Sequence, residues 1–166
     1  VLDDLWAYDL ATDTWAELPS GPPPRSNHAM VVVGDKLVLF GGNASNDGLA
    51  FTPLDDTWVF DLGAETWTEL STTNTPSARL FHSATVGPDG VVVIYGGGDE
   101  NAFLGPFFTD MWALELGDDG ASGSWTQLDP GTSGPPGTTW ADLVYDEAGQ
   151  RLLLWAGHDD TALGNT

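Results

Sequence analysis

Three phrases built on one plan recur along the chain. They are Asp4-Leu5-Trp6-Ala7-Tyr8-Asp9-Leu10, Asp56-Thr57-Trp58-Val59-Phe60-Asp61-Leu62 and Asp110-Met111-Trp112-Ala113-Leu114-Glu115-Leu116, with their tryptophans 52 and then 54 residues apart. A unit of this length restricts the chain to a propeller or a solenoid, because one supersecondary unit cannot bury its apolar face without stacking on the next.

Each unit divides into four short strand signals, a to d, read as β-branched and aromatic runs bounded by Gly, Pro and Asp. In the first whole unit these are His28 to Val33, Lys36 to Phe40 closing on Gly41-Gly42, Thr57 to Leu62, and Thr66 to Leu70. In the second they are Phe81 to Val86, Val91 to Tyr95 closing on Gly96-Gly97-Gly98, Asp110 to Leu116, and Ser124 to Leu128. Val33-Gly34-Asp35-Lys36, Gly87-Pro88-Asp89-Gly90 and Asp146-Glu147-Ala148-Gly149 separate a from b with residues that tight hairpins favour, so each unit predicts an antiparallel meander.

Before the first whole unit lie only c and d (Leu5 to Leu10, Thr14 to Leu18), and after the second only a and b (Trp140 to Tyr145, Arg151 to Trp155). The chain therefore reads as a split unit over 1–18, whole units over 25–70 and 79–128, and the complementary half over 137–166. Joined head to tail, Gly157 would stand 15 residues before Trp6, against 16 from Gly42 to Trp58 and 14 from Gly98 to Trp112. The Val1 start and this matched join suggest an excised or engineered piece holding one three-unit period.

The ordered set of Gly-Gly after b, an acidic-aromatic c, a second tryptophan (Trp15, Trp67, Trp125), and Pro-rich lead-ins to Arg25-x-x-His28 and Arg79-x-x-His82 resembles the kelch repeat. The third copy departs from it: Gly137 and Trp140 stand for the Arg and His, and Ala156-Gly157 for Gly-Gly. The resemblance implies an all-β fold, a β-propeller with one four-stranded antiparallel blade per repeat. Three blade equivalents cannot close a ring that needs four to eight. The expectation is a homodimer, a self-assembled six-bladed ring in which each split blade is completed by a second copy.

Recurrence also divides structural residues from candidate chemistry. Tryptophans at the blade period are expected in the core, where each buries roughly 150–250 Å², and the recurring Asp4, Asp56 and Asp110 are expected to accept backbone N–H bonds. Arg25 and Arg79 have two readings: burial against an Asp, or guanidinium forks on the loop face that receive an acidic peptide or carboxylate, as peptide-binding relatives would allow. The b-to-c and d-to-a loops are the long ones and share one face. Phe103, Phe107 and Phe108 beside Asp99 and Glu100 are candidates for stacking on a sugar ring, or for folding over one another; Trp140 joins them as a candidate, and Phe51 is ambiguous in the same way. His158, Asp159 and Asp160 are candidate ligands for a divalent cation, with solvated carboxylates as the plainer reading. His28 and His82 are expected to be hydrogen-bonded structural residues, and Asn43-Ala44-Ser45 is a glycosylation sequon.

A formal charge of −21, with Lys36, Arg25, Arg79 and Arg151 the sole basic side chains, argues against nucleic acid or an anionic membrane as partner. No apolar run approaches the roughly 18 residues of a spanning helix. Without cysteine there is no disulfide, no thiolate metal site, and no copper-radical site of the kind some kelch oxidases carry. No esterase elbow, phosphate loop or His-Glu-x-x-His motif is present. Scarce Lys with abundant Asp, Gly, Ala, Pro and Thr suggests a bacterial source, with a soluble, secreted or periplasmic parent. The sequence thus points to a non-catalytic, self-assembling kelch scaffold that needs no cofactor and binds a protein, a peptide or a carbohydrate. The alternative is a carbohydrate-active or metal-dependent propeller enzyme with its site on the same loop face.

Overall fold

Two faces of one strand explain how the blades stack. The computed structural model describes residues 1–47, 50–129 and 134–159. In it, strand Val92–Tyr95 turns Val92 and Ile94 into one apolar cluster with Val38, Phe40 and Leu114, and Val93 and Tyr95 into another with Leu143. Side chains alternate along a strand, so a run that is apolar at every position belongs to a sheet covered on both faces. That is the environment of a blade between two neighbours.

The elements run in chain order: β1 (Leu5–Asp9), β2 (Thr14–Leu18), β3 (Ala29–Val33), β4 (Lys36–Asn43), β5 (Pro53–Asp61), β6 (Thr66–Glu69), β7 (Ser71–Thr73), β8 (Ser83–Val86), β9 (Val92–Tyr95), β10 (Met111–Leu116), β11 (Ser122–Leu128), β12 (Asp142–Asp146) and β13 (Arg151–Trp155). Strands β3-β4-β5-β6 form a four-stranded antiparallel blade, and β8 to β11 form a second. Two-stranded sheets, β1-β2 and β12-β13, flank them. The protein is a partial propeller of all-β construction.

One element lies outside the repeat pattern. Ser71–Thr73 pairs in parallel with β11, so the connection leaving the first whole blade adds a fifth strand to the outer edge of the second. This covers an edge that would otherwise present unpaired backbone groups.

The tryptophans divide by the number of neighbours their blade has. Trp125 is fully buried, its ring 4.9 Å from that of Phe40 with the planes tilted by 57°, and it donates to Thr57 Oγ1 at 3.3 Å. Trp6 and Trp15, on β1-β2, are 49% and 66% exposed, and Trp155 on β13 is 77% exposed. The expectation that the recurring tryptophans lie in the core therefore fails at Trp6 and Trp15, in a half-blade where no adjoining sheet covers the face.

The double glycines serve blade contact. Gly41 and Gly96 adopt φ of +62° and +69°, and a Cβ on either would lie 2.7 Å from Arg79 O or 2.5 Å from Thr138 O in the next blade. A side chain there would push neighbouring blades apart.

Candidate functional site

Arg25 and Arg79 answer the question the sequence leaves open. Arg25 donates to both carboxylate oxygens of Asp56 at 2.6 and 2.7 Å and to Gly41 O at 3.0 Å. Arg79 repeats this on Asp110 at 2.7 and 2.9 Å and on Gly96 O at 2.9 Å. Both arginines are buried, and each Nε bonds a carbonyl of its own lead-in, Pro23 or Ser77. The forks are turned into the blades, so they offer no open grip to an acidic ligand. Burial raises the carboxyls of Asp56 and Asp110, but the arginine bonds and the indole N–H groups of Trp58 and Trp112 outweigh it and hold both below the usual carboxylate range. Asp4 receives the matching indole bond from Trp6 at 2.8 Å.

The histidines differ from their expected role. His82 is buried with both ring nitrogens unpartnered, and His28 Nδ1 is likewise unpartnered. Burial first, then the charges of Arg79 and His28, bring the His82 pKa down to about 3, so the ring stays neutral. His82 borders an open trough of about 430 Å³ along strands β3, β8 and β12, the inner strands of adjoining blades.

Backbone contacts set a register for the third copy one residue away from the one the sequence suggests. Gly42 N–H donates to Arg79 O, and Gly97 N–H to Thr138 O. A Cβ on Gly42, Gly97 or Gly157 would meet the Cβ of His28, His82 or Ala141 respectively. Thr138 and Ala141, one residue later than Gly137 and Trp140, therefore stand for the Arg and His. Gly137 has its own reason to be glycine, since a Cβ there would lie 2.4 Å from Phe107 O.

That shift gives Trp140 its true counterparts, Asn27 and Phe81. All three adopt left-handed φ, +58°, +59° and +56° in order, and they are linked across blades: Phe81 N–H donates to Asn27 O and Trp140 N–H to Phe81 O, each at 3.0 Å. The start of the innermost strand in successive blades is thus stitched into an arc at the mouth of the trough.

An aromatic cluster gathers on this arc. The Phe81 ring lies 4.1 Å from that of Trp140, Phe51 lies 5.6 Å from Phe81 and 5.0 Å from Phe103, and Phe103 stacks toward Trp140 at 5.8 Å with 23° between the planes. Phe103 and Trp140 remain 50% and 48% exposed. Phe107 is buried and Phe108 supports Arg79, whose Cζ lies 4.4 Å over its ring, so these two candidates serve packing. Sequence reasoning missed Phe81 by placing it at the start of strand a and by pairing Trp140 with His82, one residue along.

His158 is tied by its backbone to Thr139 in both directions, and its ring lies between Phe107 at 5.8 Å and Trp140 at 6.3 Å. Asp159 follows it, while Asp160 lies outside the described residues. Among the described residues no group of three or more His, Asp or Glu side chains is placed to hold a metal ion. Asn43 is buried, and its carboxamide oxygen accepts the N–H groups of Ser45 and Thr52, which ties down the loop leading to Phe51.

Comparisons with known proteins agree with this architecture. The family model described as the KLHDC2/KLHL20/DRC7 Kelch-repeats domain matches residues 1–157. F-box/kelch-repeat protein At1g51550 of Arabidopsis thaliana is 33% identical over 190 residues, covering 98% of this chain and 38% of that protein. Multiple epidermal growth factor-like domains protein 8 of Mus musculus is 29% identical over 164 residues, covering 95% of this chain and 6% of that protein. The chain thus spans well under half the length of these relatives. Among solved structures, that titled "Structure of YjhT" superposes with a TM-score of 0.66 at 18% identity, over 95% of this chain and 45% of the other, a likeness of fold. No helix among the described residues is long and apolar enough to cross a membrane.

Proposed function

Because the chain belongs to the kelch-repeat family, we propose that it is a non-catalytic scaffold that binds a protein partner on its loop face, with two copies closing one six-bladed ring. The observation that carries this reading is the pair of complementary half-blades with uncovered apolar surface: Trp15 on β2 is 66% exposed and Trp155 on β13 is 77% exposed. A patch of large apolar side chains marks a surface meant for contact. Strands β12-β13 supply the inner two strands of a blade, and β1-β2 of a second copy supply the outer two. Burying several such side chains stabilises the ring by roughly 2 kcal/mol each.

The recurrent charged groups support a scaffold role. Arg25, Asp56, Arg79 and Asp110 are tied to each other and to blade backbone. The long loops are left to carry recognition, on a frame that holds their ends.

Light scattering on the eluting protein tests the assembly: a mass twice that of the chain is expected, with a melting temperature that rises with protein concentration. A stable monomer whose melting temperature ignores concentration overturns it.

A further inference from the structure

We propose that the exposed aromatic pair Phe103 and Trp140, backed by Phe81 and Phe51, receives an arginine- or lysine-bearing segment of a partner protein. The proposal rests on the binding-module reading above and assigns the chemistry of the partner.

Charge fixes the sign of that partner. The chain carries 25 carboxylate side chains against four basic ones. Each basic side chain already has a carboxylate within reach: Arg25 with Asp56, Lys36 with Asp61, Arg79 with Asp110, and Arg151 with Asp146. No cationic side chain of this chain remains unmatched to meet an acidic ligand, and the summed field draws cations toward the surface. Around the aromatic pair the same sign holds. Asp99 and Glu100 precede Phe103 on its own loop, and Asp159 adjoins His158, whose ring lies 6.3 Å from that of Trp140.

Ring geometry fixes the kind of group. The faces of Trp and Phe attract a guanidinium or ammonium within about 6 Å of the centroid. This chain already uses that contact internally, with Arg79 seated 4.4 Å over the Phe108 ring. At Phe103 and Trp140 two rings inclined by 23° stand half-exposed. The Trp140 backbone is bonded to Phe81 O at 3.0 Å and its ring packs 4.1 Å from that of Phe81, so little ordering remains to be done on binding. The rings come from three successive blades, a breadth suited to an extended polypeptide.

Calorimetric titration with a short Arg-Gly repeat peptide at about 150 mM ionic strength tests this, beside matched peptides in which glutamate or citrulline replaces arginine. The arginine peptide alone is expected to bind. Trp140→Asn and Phe103→Ala, which leave the charge unchanged, are each expected to weaken it roughly tenfold. Asn is the residue that the first blade carries at the same left-handed position, and Phe103 is half-exposed on a loop, so the second variant guards against loss of fold in the first. Arginine-peptide affinity that survives both substitutions, with folding confirmed by circular dichroism, reduces the effect to diffuse attraction and overturns the proposal. Binding of the glutamate or citrulline peptide at the same rings overturns the cationic preference and leaves the binding-module reading standing. Absence of arginine-peptide binding overturns the proposal too, while the light-scattering mass judges ring assembly separately.

Discussion

Arg79 grips Asp110 through two parallel hydrogen bonds of 2.7 and 2.9 Å while its remaining donors hold Gly96 O and Ser77 O. The terminal nitrogens join the lead-in to two other segments of the second blade, and Nε fixes the lead-in on itself. Replacing Arg79 by methionine leaves Asp110 partly buried without its partner. Arg79→Met is expected to cost about 3 kcal/mol, at the low end for breaking a buried pair because the Asp110 side chain keeps 22% exposure. Arg151→Met, which removes a cation whose side chain is 66% exposed, is expected to cost at most about 1 kcal/mol. Urea unfolding of the two variants against the parent checks the contrast.

Acid is expected to weaken the fold in two stages. His82 has its folded pKa lowered to about 3 by burial, by Arg79 and by His28. The unfolded chain takes up that proton near pH 6.5, so the stability tied to a neutral His82 is whole above about 6.5 and is lost as pH falls toward 3. Asp56 and Asp110 are held below the usual range, which adds a second loss beginning as pH falls through about 4. Melting temperature followed across this range should decline from near neutrality, and His82→Phe should flatten the limb above pH 4.5 while keeping the lower one.

Ala156 marks a strained point in the backbone. It adopts φ of +57°, and it stands where Gly41 and Gly96 let a carbonyl of the next blade approach. Ala156→Gly relieves the backbone by about 1 kcal/mol and, in the proposed ring, clears the approach of a second copy. Tighter self-association measured by sedimentation is the expected outcome. Gly96→Ala does the reverse, setting a Cβ 2.5 Å from Thr138 O, and should cost roughly 2 to 3 kcal/mol in unfolding measurements.

Asn43 links the blade to the loop that carries Phe51. Asn43→Ala removes the acceptor for Ser45 N–H at 3.1 Å and Thr52 N–H at 2.8 Å, leaving donors in a partly buried turn. A loss of about 1 kcal/mol is expected, with faster amide exchange over 44–47 and 50–52. Exchange unchanged there would show that the loop is held by other contacts.

Legibility in the sequence followed the range of the interactions. Strands β3, β8 and β10 lie where β-branched and aromatic runs between turn residues place them, because alternation and turn chemistry are local properties. Strand β7 was invisible: Ser71–Thr73 has no apolar pattern and exists through its pairing with Ser122–Ser124, some fifty residues on. The candidate site was legible in part. Phe103 and Trp140 stood out as loop-face aromatics, whereas Phe81 was hidden inside a strand signal and Phe107 and Phe108 were indistinguishable from their exposed neighbour.

The amino-acid sequence by itself determined the repeat, the four-stranded unit and the shortage of positive charge, since these reside in spacing and composition. Tertiary structure alone decided that Arg25 and Arg79 turn inward onto Asp56 and Asp110. It also decided that Thr138 holds the arginine position in the third copy, and that Phe51 and Trp140, from the blades on either side, both pack against Phe81 and Phe103. Each of these depends on contacts between residues distant in the chain, whose geometry exists once neighbouring blades have stacked.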